Sequence, residues 1–147
     1  MKTIALITAA LGLIVHGAAR SAGSDSVVLV VSAHSRVSTL SAIEVRELFL
    51  GMTVAPEGQV LHAVRNASDT RLSDIFLQNV VAMSANSYRR RVLGMALEQG
   101  RRPPPAEADE RRLFQEVETD PNVVTYAWSS QIAGVRGLKA IRVLWRD

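Results

Sequence analysis

The chain has 147 residues, no cysteine, and 17 Lys plus Arg against 14 Asp plus Glu, for a formal net charge of +3. Without cysteine, a disulfide-stapled scaffold, a thiol nucleophile and a lipid-modified cysteine anchor are all excluded. Aromatic residues make up only 5% of the chain and do not interleave with the arginines, so a base-stacking nucleic-acid surface is not expected.

Lys2 is followed by an unbroken apolar run, Ile4 to Val15, and then by small residues through Ala22. That order is the order of a secretory leader, and the run falls short of the ~20 apolar residues a membrane span needs. Residues 1–22 therefore read as a signal peptide and residues 23–147 as one exported domain, periplasmic in a Gram-negative host, with no membrane span after cleavage. Cleavage after Ala19 would place small Gly17 and Ala19 where the peptidase requires them, whereas cleavage after Ala22 would place Arg20 there. The alternative is an uncleaved N-terminal anchor. Lys2 and Lys139 are the only lysines, so the charge of the body is carried by arginine. Arginine is the better fork for oxyanions, although codon bias toward arginine explains much of the excess without any ligand.

The β-branched run Ser26 to Ala33 predicts a strand buried on both faces. Ser41-Ala42-Ile43-Glu44 has the form of a capping box, opening a helix that ends near Gly51. Pro56-Glu57-Gly58 predicts a turn and Gln59 to Val64 a second strand. Helices are expected over Thr70 to Val81, from a Ser84 cap to Gly100, and over Ala106 to Glu118, with Arg101 to Pro105 as a non-helical link. Val123 to Trp128 and Lys139 to Trp145 complete the set as strands. The order β-α-β-α-α-α-β-β predicts an α/β fold with a mixed, mainly parallel sheet flanked by helices.

Catalytic and metal chemistry find no foothold. His34 and His62 have no cysteine or carboxylate at ligand spacing, and His62 reads as a packed or half-exposed strand residue. Ser129-Ser130 lies outside a nucleophile elbow, and no phosphate-binding glycine motif occurs. The Arg89-Arg90-Arg91 run spreads round a helix and reads as a solvated face, with a phosphate or lipid-headgroup contact as the alternative. The one chemical candidate is the corner between the second strand and the following helix. There Arg65, Asn66, Ser68, Thr70 and Arg71 could meet an anion at a helix start. The competing reading is that Ser68 or Asp69 merely caps the helix. The charge of Asp69 also weighs against a tight dianion site.

The chain resembles phosphate ABC-transporter substrate-binding proteins. Leu40, Ser41, Val45, Leu48, Phe49 and Gly51 fit their Leu-Ser/Thr-x-x-x-Leu-x-x-Ile-Phe-x-Gly block. Phe76 to Ser84 resembles the helix and cap after their ligand loop, and Asp120 to Ile132 resembles their Pro-Gly-Ala-Ile-Gly-Tyr-Val strand. The resemblance implies one lobe of a type 2 periplasmic binding protein, with no cofactor. It also implies phosphate or a related oxyanion as ligand and an ABC permease as partner. The family loop Arg-x-x-Gly-Ser-Gly-Thr corresponds to Arg65 to Thr70, but both glycines are absent, which argues against close approach of an anion. The other expectation is a binding-protein fold that has become an envelope protein-interaction or sensory module without tight ligand binding.

Overall fold

The computed structural model describes residues 24–147, so the expected leader and its cleavage site lie outside the described residues. Strand β1 (Ser26–Ser32) is the middle of the sheet's antiparallel core, and nearly every residue of it is buried. Its odd and even residues serve different cores. Val27, Leu29 and Val31 face a cluster with Leu48, Phe49, Phe76 and Tyr126, while Val28 and Val30 face Leu113 and Val117. A strand sandwiched between two helical layers has no polar face to alternate, which is why its apolar run is continuous.

Helix α1 (Ala42–Phe49) starts at the expected capping box: Ser41 Oγ accepts from Glu44 N at 3.2 Å, and Glu44 Oε2 accepts from Ser41 N at 2.7 Å. It ends before Gly51, whose φ is +84° and where an added Cβ would lie 3.3 Å from the Arg102 carbonyl oxygen, a contact that forces the neighbouring backbone to give slightly. The expected strand over Gln59 to Val64 shrinks to two residues, and Arg65-Asn66, expected in a connection, forms a strand of its own. Only β2 (His62–Ala63) joins the main sheet, and β3 (Arg65–Asn66) turns away to pair with β4 (Ala106–Glu107) in a separate two-stranded sheet. The expected helix over Thr70 to Val81 divides into α2 (Thr70–Phe76) and a π turn (Leu77–Val81). Helix α3 (Ala85–Gln99) runs from the Ser84 cap to a left-handed Gly100, as anticipated.

The expected helix from Ala106 is corrected at its start. Ala106 and Glu107 are extended, Asp109 is the N-cap, and α4 spans Glu110–Thr119. Strand β5 (Val123–Trp128) and the short α5 (Ser129–Ile132) lead to β6 (Leu138–Arg146). The main sheet has the order β2-β5-β1-β6. It is mixed, as anticipated, but the weight of pairing is antiparallel: β1 pairs antiparallel with both β5 and β6, and the parallel ladder of β2 on β5 is only two residues long. Two register shifts in the β1–β6 ladder mark bulges, which twist an edge strand away from further pairing. Among the described residues no helix is long and apolar enough to cross a membrane.

Candidate functional site

The corner at residues 65–71 is built where the chain leaves the main sheet after β2. Asn66 is completely buried, and its side chain spans the corner. Its Nδ2 donates to the Tyr126 carbonyl at 3.0 Å, and its Oδ1 accepts from Ser68 N at 3.1 Å and from Ser68 Oγ at 2.6 Å. Tyr126 Oη donates back to the Asn66 carbonyl at 3.1 Å. Asn66 and Ser68, both expected as ligand contacts, are thus spent on the backbone turn and on strand β5.

The helix start is closed by the chain's own anion. Asp69 is the N-cap of α2, with Oδ1 accepting from Leu72 N at 3.2 Å and Oδ2 accepting from Trp128 Nε1 at 2.9 Å. The indole hydrogen bond is the main cause that holds this carboxyl below its ordinary range, with partial burial opposing it and the Leu72 and Arg71 amides and the Arg71 charge assisting. Thr70, the first residue of α2, is exposed and makes no side-chain hydrogen bond among the described residues.

Arg71 points outward. Its guanidinium lies 5.5 Å from the centre of the Trp128 ring and 3.6 Å from the Asp147 carboxylate, an ion pair in which Arg71 and Asp147 are both exposed. Together with Asp25, Asp69 and Trp145 these residues line a hollow of about 230 Å³. Burial raises the Asp25 carboxyl, but hydrogen bonds from Ser130 and Ser129 outweigh it and leave the group more acidic than usual. The hollow therefore presents three carboxylates against one arginine, a field that repels a phosphate dianion.

Arg65 goes the other way. Its guanidinium sits 4.9 Å from the centre of the Tyr88 ring, a cation–π distance, and its buried Nε has no hydrogen-bond partner. Burial pushes both Tyr88 and Tyr126 up to about 12, with Arg65 pulling each down. Tyr88 Oη donates to the Phe49 carbonyl at 2.5 Å, so the ring under Arg65 is fixed to the core. Arg65 lines a cavity of about 270 Å³ whose walls include Ser73, Tyr88, Arg89 and Pro104. Arg65 and Arg71 thus line different hollows, and the structure does not gather the five expected residues into one seat.

Sequence reasoning missed Trp128, because the contact that fixes Asp69 crosses 59 positions of sequence and no local pattern announces it. Arg89, Arg90 and Arg91 are all exposed, as expected of a solvated face, with Arg89 also bordering the cavity. His62 is exposed at the end of the sheet rather than packed.

No family model matches the chain, and no curated protein matches it in sequence. Solved structures do match. A protein assigned provisionally as a phosphate ABC transporter substrate-binding protein from Clostridium perfringens, with bound phosphate, is 14% identical and aligns over 82% of this chain and 45% of its own, with a TM-score of 0.60. PstS from Borrelia burgdorferi gives 12%, 82%, 47% and 0.55. A possible phosphate binding protein from Planctomyces limnophilus gives 17%, 81%, 41% and 0.53. The chain therefore shares, as anticipated, the fold of these structures over about four-fifths of its length, and it spans less than half the length of each.

Proposed function

We propose that this chain is an exported, single-lobe module of the solute-binding type that does not clamp phosphate on its own and serves as an interaction or sensory component of the envelope. The observation that carries this reading is Asp69, whose carboxylate occupies the start of α2 while Asn66 and Ser68 are consumed internally. A dianion approaching that corner meets a fixed negative charge where a phosphate receptor needs donors. The missing glycines agree with this, since Ser68 and Asp69 bring side chains to a loop that must come close to its ligand.

A second reading keeps phosphate or a related oxyanion as the ligand, delivered to an ABC permease. What favours it is Arg65, whose guanidinium nitrogen is buried without a partner. Thermal unfolding of the mature domain in a phosphate series separates the two. A receptor held at a hundred times its Kd gains ~2.7 kcal/mol, which is about 8 °C in Tm for a domain of this size. The expected result is a flat series. A shift of that size, removed by Arg65→Ala, would establish the receptor reading instead. Export itself is tested by N-terminal sequencing of the protein recovered from the periplasm, with a start just after Ala19 expected.

A further inference from the structure

The cavity beneath Arg65 has a chemistry of its own. Its lining contains two arginines, Arg65 and Arg89, together with Ser73, and no carboxylate. The same lining also includes apolar Leu77, Val92 and the Pro103-Pro104 strap. Its contribution from α2 begins at Ser73, a full turn beyond the helix start that Asp69 caps. From α3 it takes Ala85, in the first turn, where the helix dipole adds a positive potential. Arg65 is held by the Tyr88 ring rather than by an acid, and among the described residues no ion pair neutralises Arg65 or Arg89.

From this juxtaposition we infer that the cavity binds a small organic oxyanion: an acid group between Arg65 and Arg89, with an apolar body against Leu77, Val92 and Pro104. The inference rests on the reading that the 65–71 corner is closed to phosphate, and it deepens that reading by naming the ligand class a sensory lobe would take. Bare phosphate leaves the apolar wall unfilled. A volume of about 270 Å³ accommodates an acid group on one ring or a short aliphatic chain. The partly buried guanidinium supplies a fork for two acid oxygens.

The probe is phenylphosphonate, titrated into the mature domain and followed by amide chemical shifts, with inorganic phosphate and benzyl alcohol as the separate acid and apolar halves. Phenylphosphonate is expected to saturate with shifts centred on residues 65, 73, 77 and 85–92. Phosphate and benzyl alcohol should each fail to saturate over the same concentration range. Arg89→Ala removes one charge-assisted contact from a partly solvated site and should weaken binding about five- to tenfold. Arg65→Lys keeps the charge but loses the fork, and should weaken it by a similar factor while leaving the fold intact. The inference is overturned if phenylphosphonate produces no saturable shifts, if benzyl alcohol binds as well, or if Arg89→Ala leaves affinity unchanged. Phosphate shifts confined to residues 68–71 would instead contradict the reading of the closed corner, so the two failures are told apart.

Discussion

Replacing Asp69 with alanine removes two hydrogen bonds at once, the cap on Leu72 N and the acceptor for the Trp128 indole. Loss of an N-cap costs about 1 kcal/mol. The indole bond goes to a charged acceptor, which is worth about 1.5 kcal/mol or more in a buried setting, and the partial exposure of Asp69 discounts that toward about 1 kcal/mol. Asp69→Ala should therefore lower stability by about 2 kcal/mol, roughly 6 °C in Tm. Asp69→Asn keeps an equally good cap and one acceptor oxygen, and should cost less than about 1 kcal/mol. Urea unfolding followed by tryptophan fluorescence reads both, since Trp128 and Trp145 are the only tryptophans and their rings lie edge to face 6.3 Å apart. The reasoning is refuted if Asp69→Ala falls within about 0.5 kcal/mol of the parent, the range of an ordinary surface change, or if Asp69→Asn is as damaging as alanine.

Further expectations follow from the same contacts. Asp69, Asp25 and Glu44 are all more acidic in the fold than free in water. Their contribution is present above the ordinary carboxylate range near pH ~4 and is lost as pH falls through the depressed values. Acid unfolding should steepen below that range and soften in a variant carrying both Asp25→Asn and Asp69→Asn; an unchanged acid limb would contradict the assignment. The chain has two tyrosines, both raised by burial from 10.0 to about 12. Stability is full below pH 10.0 and falls as pH rises from there toward about 12, because the unfolded chain ionises first. Tyrosinate absorbance should therefore appear together with loss of structure, and a titration complete near pH 10 in the folded state would show that these rings are not buried. Gly51→Ala places a side chain at φ +84° against the Arg102 carbonyl. It should cost about 2 kcal/mol by denaturant unfolding, and a neutral result would mean that the Arg102–Pro104 strap is free to move aside.

Much of the fold was legible because it is locally written. The β-branched run of β1, the Ser41–Glu44 box and the Ser84 cap each state their element within a few residues. The direction of pairing was not, because burial on both faces says nothing about which way a neighbour runs; β1 turned out to be flanked by two antiparallel partners. Ala106-Glu107 carries helix-favouring residues yet lies extended, since its backbone pairs with Arg65-Asn66 some forty positions away. At the corner, the sequence held both outcomes, an anion seat and a capped helix. What decides between them is Trp128, a residue remote in sequence that fixes the Asp69 carboxylate in place. The arginines were read as one pair, but Tyr88 draws Arg65 to one side while Trp128 and Asp147 hold Arg71 on the other.

The central claim is that the 65–71 corner is closed to phosphate by the chain's own carboxylate. Calorimetric titration of inorganic phosphate into the mature domain tests it most directly. The account predicts no saturable heat up to about 10 mM, a hundred times the Kd of even a modest receptor at ~0.1 mM. A saturable isotherm at or below that Kd, abolished by Arg71→Ala and untouched by Arg89→Ala, would contradict it.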